Sequence, residues 1–126
     1  MGVETVGFFR ELPHGDPQGP SLREALGGGE DAFRDQIANY LVAGAVLATT
    51  TESVFDVLKG EEVSAGRLAI KTDGQWVWPA DLSYYVREYN VKLPVEFVDR
   101  IRSLNWSAPD LSRDELIEIE SRFFED

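Results

Sequence analysis

Few residues in this chain could do chemistry alone. His14 is the only histidine and there is no cysteine, so a histidine-rich metal site or a histidine–carboxylate pair would depend on that one loop residue. Taken by itself, His14 reads as a solvated or locally hydrogen-bonded loop histidine. No serine sits in a G-x-S-x-G setting, and the glycine run of "ALGGGED" lacks the lysine and following Ser/Thr of a phosphate loop. That run reads as a flexible break between helices. Carboxylates are abundant, and pairing any two as acid and base means nothing without geometry. The expectation is a protein with no catalytic residue, no metal and no cofactor.

Aromatic residues gather in "TDGQWVWPADLSYYV", residues 72–86. Trp76, Trp78 and Tyr84 could form a stacking platform for a sugar or a base. The alternating and helical spacings explain most of this stretch as core instead, and Tyr84 is the aromatic expected to be most exposed. Asp73 already has a turn role and Asp81 a helix-start role. From Asp110 to Asp126 there are seven acids and two bases, a net −5. Glu115, Glu118 and Glu120 in this segment are the candidate contacts for a basic partner, with Tyr84 beside them. Glu120 falls inside the apolar stripe of Leu116, Ile117 and Ile119, so it is read as either an exposed helix end or one half of an ion pair.

The whole chain has 126 residues, with 12 basic and 23 acidic side chains and a net charge of −11. That length suits a single domain, 1–126, whose first 20 residues read as a partly irregular N-terminal segment. The charge opposes binding to phosphate backbones and anionic lipid, so no nucleic-acid or membrane partner is expected. Without cysteines there are no disulfides. No basic, apolar leader opens the chain and no apolar run is long enough to span a bilayer, so the expected location is cytoplasmic.

The elements that must position these residues follow from local patterns. Ser21 and Glu24 have capping-box spacing before "SLREAL", which the glycines at 27–29 stop. From about Asp31, Phe33, Ile37, Tyr40, Leu41 and Gly44 make one helical stripe, with Gly44 suited to a left-handed C′ position. "AVLATTT" reads as a strand, while "SVFDVL" is open between a second strand and a helical turn. "RLAIK" and "QWVW" flank Asp73-Gly74, a hairpin signal. A two-residue loop there would put Trp76 and Trp78 on the side of Lys71 and Ala69. A three-residue loop, pairing Lys71 with Gln75 and Ile70 with Trp76, would gather Leu68, Ile70, Trp76 and Trp78 on one face, and it is preferred for that reason. Pro79 is expected to begin a helix with Leu82, Tyr85, Val86 and Tyr89 inward, and Pro94 another with Phe97, Val98, Ile101 and Leu104 inward. Ser112 and Glu115 make the last cap, with Leu111 stapled against Leu116. The fold class is α+β: a small antiparallel meander packed with several helices that lie on both sides of the strands in sequence.

Read together, "FFRELPHGDPQGPSLREA", "YLVAG", "TDGQWVWPADLSYYV" and "LPVEF" resemble a group of small, functionally uncharacterised actinobacterial proteins. The resemblance spans roughly Phe8 to Arg102, leaves out the acidic tail and brings no catalytic residues or ligands with it. Some small acidic proteins of similar style look like immunity proteins of polymorphic toxin systems, a likeness of type and not of motif. The leading expectation is a non-enzymatic protein that binds and neutralises a basic protein, such as a toxin. Two alternatives are a small-ligand module built on the aromatic platform and an enzyme working with carboxylates alone.

Overall fold

Residues 3–60 and 63–124 are described by the structure, a computed structural model. Strand β1 (Glu4–Thr5) is followed by a long irregular segment leading to helix α1 (Leu22–Ala25). Ser21 Oγ accepts the Glu24 N–H, as the spacing predicts, but the other half of the cap comes from elsewhere. Glu11 accepts the Leu22 and Arg23 N–H groups at 2.7 and 3.1 Å, and the Ser21 hydroxyl. Burial opposes the charge on Glu11, yet these bonds outweigh it and hold the carboxyl down at about 2. The "irregular" segment is therefore tied to the first helix by a charged cap.

A 3₁₀ turn at Asp31–Phe33 leads into α2 (Arg34–Ala43), which buries Ile37, Tyr40 and Leu41. Gly44 does not take the left-handed C′ conformation expected of it, since its φ is −58°. It is needed for space. A Cβ at this position would sit 2.5 Å from Trp78 Cζ2. Strand β2 (Ala45–Phe55) then runs on through Ser53-Val54-Phe55, so the first half of the ambiguous segment continues the same strand, while Asp56-Val57-Leu58 leave it in a turn. Strands β3 (Ser64–Thr72) and β4 (Trp76–Pro79) complete the sheet.

The strand order is β1-β4-β3-β2, with β2 at an edge. The β2–β3 and β3–β4 pairs are antiparallel, as expected of a meander, whereas β1 adds to β4 in parallel and makes the sheet mixed. Pro79 closes β4 instead of opening a helix, and α3 (Leu82–Tyr89) starts three residues later. Helix α4 (Val95–Ser103) follows its N-cap Pro94, and α5 (Arg113–Phe124) is the last element. Ser112 and Glu115 exchange the two expected capping hydrogen bonds at its start.

The hairpin register differs from both readings of the sequence. Thr72 pairs with Val77, Lys71 with Trp78 and Ile70 with Pro79. Trp78 therefore shares a face with Lys71, and the preferred grouping with Leu68 and Ile70 is overturned. The cause is Asp73. Its Oδ1 accepts the N–H groups of both Gln75 and Trp76, which holds residues 73–76 as a longer turn than either alternative.

The tryptophan face is covered by α2 and α4. Trp78 donates its indole N–H to Leu41 O, and Lys71 Nζ donates to Val42 O, both on α2. Trp76, Trp78 and Tyr40 surround Phe97 of α4, with ring centroids 5.0, 5.5 and 6.3 Å from its own. Val77 points the other way along the strand, outside that cluster, and is nevertheless fully buried. Helix α5 packs against β2, buries Ile119 and stacks Phe123 on Phe8.

Candidate functional site

Within 72–86, the groups that look chemical are mostly structural. Asp73 is completely buried. Its Oδ2 receives the Tyr40 hydroxyl at 2.6 Å and Arg100 Nε at 2.9 Å, while Arg100 Nη2 reaches its carbonyl. With Oδ1 also occupied, every acceptor site of the carboxylate has a use in holding α2, α4 and the hairpin together. Trp76 is 9% exposed and Trp78 not at all. The two indoles thus face the core, and Trp76, Trp78 and Tyr84 present no common platform to a ligand. Tyr84 is half-buried and is the most exposed of the stretch's four large aromatics, as its spacing predicts.

Asp56, which the sequence did not single out, organises a second cluster. It lies at the end of β2 and is completely buried. Oδ1 accepts the Leu58 and Lys59 N–H groups, and Oδ2 accepts the hydroxyls of Tyr84 and Tyr89 at 2.7 and 2.5 Å. Burial raises its pKa, but these donors win and the carboxyl stays below its ordinary value. The same contacts push Tyr84 and Tyr89 upward: burial comes first, then the hydrogen bond and charge of Asp56. Tyr85, alongside, accepts the Val57 N–H and donates to Phe55 O.

His14 is not a solvated loop residue. Its side chain is 14% exposed, and Nε2 sits 3.0 Å from Oδ2 of Asp81, a carboxylate 1% exposed. Asp81 stands at the N-cap of α3 but makes no side-chain cap bond. Despite that short distance the pair does not have hydrogen-bond geometry, and His14 Nε2 and both Asp81 oxygens are buried without a hydrogen-bond partner among the described residues. The loop carrying His14 is fixed by Leu12 N–H to Phe9 O, Gly15 N–H to Leu12 O and Asp16 N–H to Phe8 O, with Phe9 and Leu12 in the core. The fold thus brings together a histidine and an aspartate 67 positions apart.

The His14 ring lines a cavity of about 520 Å³ shared with Glu52, Ser53, Asp56 and apolar side chains of the same strand end. Ser53 shares this cavity, yet no hydrogen bond joins its hydroxyl to the His14 ring among the described residues, so no nucleophile–base contact is formed. Nor do any three His, Cys, Asp or Glu side chains gather as ligands for a metal ion among them. A second cavity, of about 400 Å³, lies between the N-terminal segment and residues 92–94, with Arg10, Lys92, Asp16 and Glu24 mixing both signs of charge at its wall.

The acidic candidates all lie on α5 and are all exposed. Glu115 is engaged by the Ser112 cap, which holds its carboxyl below the ordinary value. Glu118 pairs with Arg122 at 2.5 Å. Glu120 is solvent-facing, with no ion pair among the described residues. Ile117 and Phe124 are 54% and 56% exposed on the same helix. No described helix is long and apolar enough to cross a membrane.

Compared with known proteins, the chain matches no family model, no curated protein and no solved structure. The family resemblance described above therefore rests on its quoted residues alone.

Proposed function

We propose that this protein acts by binding a basic protein partner, with α5 as the contact surface. One observation carries the reading. Ile117 and Phe124 are seven residues apart, nearly the same angle on a helix, and both stand out in solvent. Asp114 and Glu120 flank them on that face. The buried side of α5, through Leu116, Ile119 and Phe123, is turned elsewhere. Large apolar side chains ringed by acids suit a partner surface of apolar anchors ringed by Lys and Arg. A net charge of −11 would steer such a partner in. The likeness in type to small acidic immunity proteins adds the finer reading that the partner is a toxin and that binding neutralises it. Tyr84 is a weaker contact candidate, because its hydroxyl is committed to Asp56.

The test divides anchors from steering. With a basic partner in hand, Ile117→Ser with Phe124→Ser should raise the dissociation rate, and Glu118→Gln with Glu120→Gln should lower the association rate and flatten its salt dependence. Unchanged rates in both double variants would remove α5 from the interface.

A further inference from the structure

We propose that the cavity between the His14 loop and the end of β2 is a binding site for a small organic cation with an apolar body, such as an alkylammonium. The proposal is independent of the α5 surface. The cavity's volume of about 520 Å³ lies within the range of about 300–1,000 Å³ usual for small-molecule sites. Pro13, Val54, Val57 and Leu68 give it apolar walls. Among the described residues its ionisable lining is His14, Glu52 and Asp56, with no lysine or arginine.

The imidazole supplies direction. The Asp81 carboxylate lies 3.0 Å from Nε2, outside hydrogen-bond geometry, and its nearby negative charge favours a proton on that nitrogen, which leaves a lone pair on Nδ1 in the neutral ring. Nδ1 makes no hydrogen bond among the described residues, and the His14 side chain keeps 14% of its exposure. It is an acceptor without a donor. Asp56 has its oxygens filled by tyrosine and backbone donors, so it contributes negative charge without competing for the same contact. Glu52, exposed on the edge strand, is a carboxylate of the lining with no ion pair among the described residues. An ammonium group can donate to Nδ1 and to Glu52 while its alkyl part lies against the apolar walls, whereas a carboxylate ligand would meet like charge and a lone pair.

The only histidine is its own reporter. Hexylammonium chloride titrated into the labelled protein in mildly alkaline solution should shift the single set of imidazole ring signals saturably, with sodium hexanoate and hexanol giving little or no shift. In the free protein, ring ¹⁵N signals should place the proton on Nε2. Replacing His14→Ala should weaken hexylammonium binding about tenfold, the size of a lost hydrogen bond to a charged group, and Glu52→Gln should weaken it less. Hexanoate or hexanol binding as tightly as hexylammonium, a proton on Nδ1, or a ring signal that never saturates would each overturn the proposal. These wild-type readouts decide it even if the His14 variant fails to fold.

Discussion

Asp73 shows how a residue legible as a turn former can be much more. Its carboxylate gathers donors from α2, from α4 and from its own turn, and it has no exposure to water that could replace them. Asp73→Ala would leave the Arg100 charge and the Tyr40 hydroxyl without their partner, so the expected loss is about 3–5 kcal/mol. Urea unfolding of the variant measures it, and a loss below about 1 kcal/mol would mean that water replaces the carboxylate. The tyrosines give a second residue-scale prediction. All four are shifted upward by burial first, with Asp73 adding to the shift of Tyr40 and Asp56 to those of Tyr84 and Tyr89. Tyr85 and Tyr89 reach about 12. A phenol whose folded pKa lies above its unfolded value adds stability that is present below about pH 10 and lost as pH rises through the folded pKa. Absorbance titration should therefore show no phenol ionising near pH 10, with tyrosinate appearing at higher pH together with alkaline unfolding. A full-size transition of even one tyrosine near pH 10 in the folded protein would contradict the buried tyrosine contacts around Asp73 and Asp56.

At the scale of elements, Gly44 links helix to sheet by leaving room. With Trp78 fully buried and its indole bonded to Leu41 O, the ring has little freedom to retreat from an added methyl group. Gly44→Ala should destabilise by about 1–3 kcal/mol, as overpacking does, and thermal unfolding would report it. A variant as stable as the wild type would show that the α2–β2 junction can move away from the ring. The same junction shows which features were readable. Helix stripes and the Ser112–Glu115 cap depend on residues three to eight apart, and these expectations match the elements seen. Register, the parallel addition of β1 to β4, Glu11 at the start of α1 and the His14–Asp81 pair depend on partners brought close only by the fold. Their residues carry no local signal. The hairpin is the intermediate case: Asp-Gly marked its place, but the number of N–H groups that the Asp73 side chain would capture decided its length, and so which face the tryptophans took.

Over the whole molecule, charge imbalance sets a term that no single contact reveals. Twelve basic residues face 23 acidic ones, and several of the ion pairs are exposed, including Arg10–Glu24, Arg102–Glu30 and Arg122–Glu118. Exposed pairs of this kind contribute little each. The buried Arg100–Asp73 pair is shielded from dissolved ions by its surroundings. Added salt therefore screens mainly the net repulsion of a chain at −11, which opposes the compact state. As the Debye length falls from about 8 Å at physiological ionic strength to about 3 Å at 1 M, the melting temperature in sodium chloride should rise. Most of that rise belongs at the low end, where long-range repulsion is removed first. A melting temperature that falls with salt would show that the surface pairs outweigh the repulsion, and the acidic excess would then be arranged for stability more than for attracting a basic partner. A rise would leave the negative field as an unrelieved strain on the free protein, one that a basic partner bound at α5 would reduce.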